Sequence, residues 1–170
     1  MKASEAQIVA LIPRLRRYAR VLLRGDTIAA DDLVQDCLER ALDRLGRWRP
    51  GTDLRAWLFT IMHNLYVNQV RRAGAAPRFV ALPEQYDEPA GAARAERCTE
   101  LDELHRAINS LSDQQREILV LVSLEGLRYR EVAAVLGVPE GTVMSRLSRA
   151  RQQLRTLLEE DEPHRLRRVK

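Results

Sequence analysis

From Thr142 to Thr156 the chain carries four arginines and no acid. Thr142, Ser145, Arg146, Arg149 and Gln152 recur there at helical intervals, so a helix would present them as one row. Arginine pairs bidentately with guanine, glutamine with adenine, and hydroxyls with bases or phosphates. The chemistry on offer is recognition of a DNA edge, with an ordinary helical hairpin bearing a solvated arginine face as the alternative. A second set spans Trp48 to Arg72. The loop residues Arg47, Trp48 and Arg49 precede a segment carrying His63, Asn64, Asn68, Arg71 and Arg72. Amides, an aromatic and cations together suit a strand whose bases are unstacked. Against this, Trp48 and Trp57 can belong to the core, and His63 reads as a surface residue. A third set, Asp32, Gln35, Asp36 and Glu39, forms an acidic strip able to dock on a basic partner helix or simply to face water.

Each set needs a helix to hold it. Ile8, Leu11, Ile12 and Leu15 begin an amphipathic helix ending near Gly25. Asp31 and Asp32 open a second, with Val34, Leu38, Ala41 and Leu45 inward and Gly46 at its end. After a turn-rich loop, Thr52 or Asp53 caps a third helix that buries Leu54, Trp57, Leu58, Ile61 and Leu65. Leu101, Leu104, Ile108 and Leu111 start a second unit, and Ser112-Asp113-Gln114-Gln115 has the form of a capping box. The helix it launches passes Ile118, Leu119 and Val122 and stops at Gly126. A short helix over 129–136, a turn at Gly137 and a long helix to about Leu158 have helix-turn-helix spacing, with Val143, Leu147, Ala150 and Leu154 inward.

Between these units, residues 73–100 hold Gly74, Pro77, Pro83, Pro89 and Gly91 without an apolar period. Prolines at this density interrupt helices, so the stretch reads as a flexible linker. The expected fold is all-α: two small helical domains, 1–72 and 101–170, joined by 73–100, the second containing the helix-turn-helix. Charge follows the same division, at +5, −2 and +1 along the three parts, for a net +4. The cations are arginine except for Lys2 and Lys170, which suits phosphate and base contacts and equally a coding bias toward arginine.

Catalytic chemistry is not indicated. There is no glycine-rich phosphate loop, no histidine pair on one helical face and no nucleophile–base spacing. Cys37 and Cys98 make neither a disulfide framework nor a metal-ligand pattern, so no metal, no cofactor and no enzyme is expected, and both thiols read as structural. No apolar run approaches the roughly 20 residues of a membrane span, and no leader is evident; a cytoplasmic protein is expected.

The three sets, in this order, resemble the extracytoplasmic-function (ECF) sigma factors of bacterial RNA polymerase over nearly the whole chain. Asp31-Asp32-Leu33-Val34-Gln35-Asp36 is similar to the family's polymerase-docking motif. Residues 54–61 with His63-Asn64 resemble its −10-reading helix, and residues 141–151 its −35 recognition helix. The resemblance implies core polymerase and promoter DNA as partners. Asp32, Gln35, Asp36 and Glu39 would bind polymerase; Arg47, Trp48, Arg49, Asn64, Asn68, Arg71 and Arg72 would engage the −10 element; Thr142, Ser145, Arg146 and Arg149 the −35. It also implies an anti-sigma protein that closes the two domains and hides the acidic strip and recognition helix. Met144 stands where many members carry a cation, and Arg128 where a capping serine is common. A conventional helix-turn-helix regulator acting without polymerase is the main alternative; an adaptor that keeps the fold without reading DNA is another.

Overall fold

The computed structural model describes residues 2–49, 51–72, 74, 104 and 106–166, with side chains placed from residue 5 to residue 159 of these. The expected linker, 73–100, lies outside the described residues apart from Gly74. Helix α1 spans Lys2–Leu22, α2 Thr27–Asp43, α3 Leu54–Arg72, α4 Asp113–Leu119, α5 Tyr129–Leu136 and α6 Glu140–Leu166. A 3-10 turn, Leu45–Arg47, follows α2, and a π-helical turn, Val120–Leu124, extends α4. No strand occurs among the described residues.

The caps explain the boundaries. Asp26 accepts a hydrogen bond from the Ala29 amide at 3.0 Å and starts α2, so the helix begins one turn before the expected Asp31-Asp32. Any Ser, Thr, Asp or Asn can cap, and the earlier aspartate takes the role because Arg24 (φ 53) and Gly25 (φ 90) turn the chain directly before it. Leu45 falls in the 3-10 turn rather than in α2. Asp53, not Thr52, caps α3: its Oδ1 accepts from the Arg55 amide at 2.8 Å, while the Thr52 hydroxyl donates to the Arg49 carbonyl.

At α4 the capping box is present in both directions. The Gln115 amide donates to Ser112 Oγ at 3.3 Å and the Ser112 amide to Gln115 Oε1 at 3.0 Å; a cap of this kind is worth about 1 kcal/mol. Helix α5 has only half of one. Glu131 accepts from the Arg128 amide at 2.7 Å, but an arginine side chain has no acceptor to return. Gly137 closes α5 at φ 64, in the left-handed region where a side chain would be strained. Helix α6 passes the expected end near Leu158 and runs to Leu166, as its leucines, glutamates and arginines favour.

Helices α1, α2 and α3 pack on one another, α4 and α5 both pack on α6, and α3 meets α5 while α1 meets α4. One apolar cluster therefore runs through both groups. Leu15, Leu33, Cys37, Leu58, Phe59 and Met62 fill it from the first group, and Ile118, Leu121, Val132, Val143 and Leu147 from the second. Each fully buried leucine or isoleucine contributes about 1.5–3 kcal/mol. Tyr18 stacks edge to face on Phe59, with ring centroids 5.1 Å apart at 76°. Trp57, expected inside, is only half-buried. Phe59 and Met62 take the interior instead, because α3 is covered on two sides, by α1 and α2 and by α5.

Candidate polymerase and nucleic-acid interfaces

The acidic strip stands as its helix period requires. Leu33, Val34, Cys37 and Ala41 are buried on one side of α2, and Asp32, Gln35, Asp36 and Glu39 are exposed on the other. Gln35 Nε2 donates to Glu39 Oε1 at 3.2 Å, and Asp36 Oδ2 accepts from Gln69 Nε2 of α3 at 3.4 Å. Asp31 pairs instead with Arg16 of α1 at 3.1 Å. Exposed pairs of this kind contribute little to stability, so the strip is free to exchange partners.

On α3 the amides Asn64 and Asn68 and the cations Arg71 and Arg72 are exposed along one side of the helix. Asn68 and Arg72 line a groove between α2 and α3 together with Asp36, Glu39 and Arg40. That groove joins part of the expected −10 set to part of the polymerase-docking set. Trp48 is elsewhere. Half-buried against the core, it lines a second groove with Trp57, Thr60, Arg55 and, from the second group, Arg128 and Glu131. Its indole Nε1 is buried without a hydrogen-bond partner among the described residues. Arg47 and Arg49 flank it and are exposed. The loop and the helix face thus form two neighbouring surfaces rather than one pocket, and Trp57 and Thr60, not anticipated as site residues, share the first.

Arg55 is held by an aspartate fork. Arg55 Nε lies 3.2 Å from both Asp53 oxygens, and its Nη2 lies 2.7 Å from Oδ2. Those bonds hold the Asp53 carboxyl below its ordinary range, with burial opposing them. The remaining amine, Nη1, donates to the Glu125 carbonyl at 3.2 Å. His63, read from sequence as a surface side chain, is half-buried, with Nδ1 2.7 Å from Glu117 Oε1.

Helix α5, the Gly137 turn and α6 place the third surface. Val143, Leu147 and Ala150 are buried, which turns Ser145, Arg149 and Gln152 outward, with Thr142 and Arg146 half-exposed beside them. The Ser145 hydroxyl donates to the Thr142 carbonyl at 3.1 Å, and no ion pair ties Arg146 or Arg149 among the described residues. Met144 is 52% exposed on the same turn, an apolar contact in place of a cation. Leu154, expected inward, is half-buried near the end of the hydrophobic seam.

Cys37 lies within the core, donating its S–H to the Leu58 carbonyl at 3.6 Å. Burial, with a smaller push from Asp36, raises its thiol to about 12. Among the described residues no His, Cys, Asp and Glu cluster could hold a metal, and no helix is long and apolar enough to cross a membrane.

The helices of the described residues, with a helix-turn-helix formed by α5, the Gly137 turn and α6, define the class, that of helix-turn-helix transcription proteins. Two family profiles match: Sigma2 domain of PhyR over residues 8–63 and Sigma-70, region 4 over residues 101–154. The ECF RNA polymerase sigma factor EcfG of Rhodopseudomonas palustris is 37% identical over 160 residues, 89% of this chain and 82% of that protein. The ECF RNA polymerase sigma factor SigC of Mycobacterium tuberculosis is 34% identical over 163 residues, covering 95% and 86%. Among solved structures, the sigma factor RpoE in complex with the anti-sigma factor NepR, from Bartonella quintana, superposes with TM-score 0.74 at 32% identity over 95% of this chain and 99% of that one. The chain belongs to the ECF RNA polymerase sigma factors. It is a transcription initiation factor and not an enzyme, and the reading as a conventional regulator independent of polymerase gives way.

The two helix groups pack together, and the acidic strip and the α6 face are exposed.

Proposed function

We propose that residues 1–72 form the unit that docks on core polymerase and takes the −10 element, that 101–170 form the unit that reads the −35 element, and that 73–100 connect them. Asp32, Gln35, Asp36 and Glu39 meet a basic helix of the polymerase. Arg47, Trp48, Arg49, Asn64, Asn68, Arg71 and Arg72 receive the −10 strand, the cations on phosphates and the amides on base edges. Trp48 offers a partly buried ring for an extruded base, an extrusion that costs a few kcal/mol. Thr142, Ser145, Arg146 and Arg149 enter the major groove of the −35 duplex. The single observation that carries this reading is the outward row Ser145–Arg149–Gln152 on a helix whose other side is locked by Val143, Leu147 and Ala150.

The protein works in the cytoplasm, where its template is, and is controlled by an anti-sigma protein. The Bartonella relative crystallised with its anti-sigma factor supports that control. Run-off transcription with purified core enzyme on genomic fragments tests the whole. Discrete start sites are expected with this protein added and none without it. A gel shift should show weak duplex binding by the free protein and strong binding once core enzyme is present. Failure to associate with core enzyme would overturn the reading. Unchanged transcription after Asn64→Ala and Arg149→Ala would instead favour the adaptor.

A further inference from the structure

The outward row of α6 has a neighbour on the same helix. Met144, Ser148, Arg151 and Arg155 are all exposed, and at intervals of four, three and four residues they share one side of the helix. That side lies between the row Ser145–Arg149–Gln152 and the buried set Val143, Leu147 and Ala150. Met144 is 52% exposed. Leu147 is buried beside it, and Tyr129, the first residue of α5, is half-buried. Together with Ser148, Arg151 and Arg155 these side chains line a groove of about 460 Å³. Met144 and Leu147 lie toward the start of α6, and the cations follow two and three turns after Met144. No ion pair engages Arg151 or Arg155 among the described residues.

A lone exposed apolar side chain is ordinary on a protein surface. Met144 differs in its place. It shares a turn with Thr142 and Ser145 in the amino-terminal part of α6, the part of a recognition helix that reaches base edges. The inference below rests on the proposed −35 reading by that helix. Methionine has no hydrogen-bond donor and only a weak acceptor, so it can neither pair with guanine nor hold a phosphate. Among base edges in the major groove, the thymine C5 methyl is the apolar group that sets one base apart. An unbranched thioether adapts its shape to such a group, and Leu147 and Tyr129 supply apolar surface beside it. Arg151 and Arg155 carry the charge for phosphates of the strand whose bases pass Met144. Such contacts set register without reading sequence.

We infer that Met144 is a specificity-determining residue, which packs on the C5 methyl of one thymine in the −35 duplex while Arg151 and Arg155 hold the adjoining phosphates. Thymine is preferred at that position through its methyl group and not through a hydrogen bond. Deleting the methyl and shortening the side chain therefore remove the same contact, and doing both adds nothing.

The test uses holoenzyme assembled from core enzyme and the full-length chain, on a promoter duplex that it transcribes. Each thymine of the −35 region, on either strand, is replaced singly by deoxyuridine, which lacks only the methyl. At one thymine the wild type should lose about fourfold in affinity, the worth of one buried methyl group. Met144→Ala should bind the thymine and deoxyuridine duplexes equally, and Met144→Leu should restore part of the difference. Because Met144 is exposed, both variants should keep the wild-type midpoint in urea unfolding. Arg151→Ala should lower the slope of log affinity against log salt by about 1 and keep the thymine preference. Indifference to deoxyuridine at every thymine, or equal sensitivity in wild type and Met144→Ala, would overturn the inference. So would weaker binding of Met144→Ala to core enzyme without DNA, since the groove would then seat a protein. Arg149→Ala separates the two levels. If −35 binding survives it, the functional reading falls and this inference with it; if binding is lost but no methyl effect appears, only the role of Met144 falls.

Discussion

The two regions proposed to face DNA are built on opposite plans. On α6 the proposed reading residues form one row on one helix, seated by three buried side chains of that helix. In the first group the corresponding residues are divided between a loop around Trp48 and the far side of α3, with Trp48 in one groove and Asn68 and Arg72 in another. An intact duplex offers a regular major groove that one helix can enter. A melted strand has no fixed shape, and separate surfaces for stacking, amide contact and phosphate suit it better. A one-helix site should therefore fail when its seat is disturbed, whereas a divided site should fail in parts.

The strongest way to break this comparison is to remove the seat. Leu147→Ala should cost about 2–5 kcal/mol, as for other buried leucines, read as a lower midpoint in urea unfolding, and −35 binding should be lost with it. Next in size, Arg149→Ala should cost about 1–3 kcal/mol of duplex recognition, measured by gel shift of the holoenzyme. Asn64→Ala should leave that initial binding nearly unchanged and instead slow strand opening, followed by permanganate reactivity. If both variants lost the same step, the two regions would not differ as described.

A smaller effect probes the joint between them. Asp53→Ala removes the α3 cap and the fork on Arg55, at about 0.5–2 kcal/mol. The folded carboxyl is held below its ordinary value. Its stabilisation is therefore full above the unfolded value near 4 and fades as pH falls through the lower folded value. The gap between wild type and variant in thermal unfolding should narrow at acid pH. Smallest of all, Cys37, raised to about 12, should resist thiol reagents in the native state and react only on unfolding, checked by mass spectrometry.

Local rules reached a good part of this. The Ser112 capping box, the Gly137 turn and the inward set Val143, Leu147 and Ala150 depend on residues within a turn or two of each other, and all were legible. The start of α2 was not, because Asp26 and Asp31 are both competent caps and the turn at Arg24-Gly25 chose between them. The half-burial of Trp57 was not, since α3 is covered from two directions and its period cannot say which neighbour is closest. Of the candidate sites, the acidic strip and the α6 row lie where periodicity placed them. The −10 set was divided by the loop's path.

The chain's own pattern was sufficient for helical class, for the helix-turn-helix and for which side chains share a helix face, because side-chain direction repeats with the backbone. Only the tertiary structure decided that Glu117 and Glu125 are buried, and against what. Their partners Tyr18 and Arg17 stand 99 and 108 positions away. No local period reports a contact at that range, which exists only once two amphipathic surfaces have met.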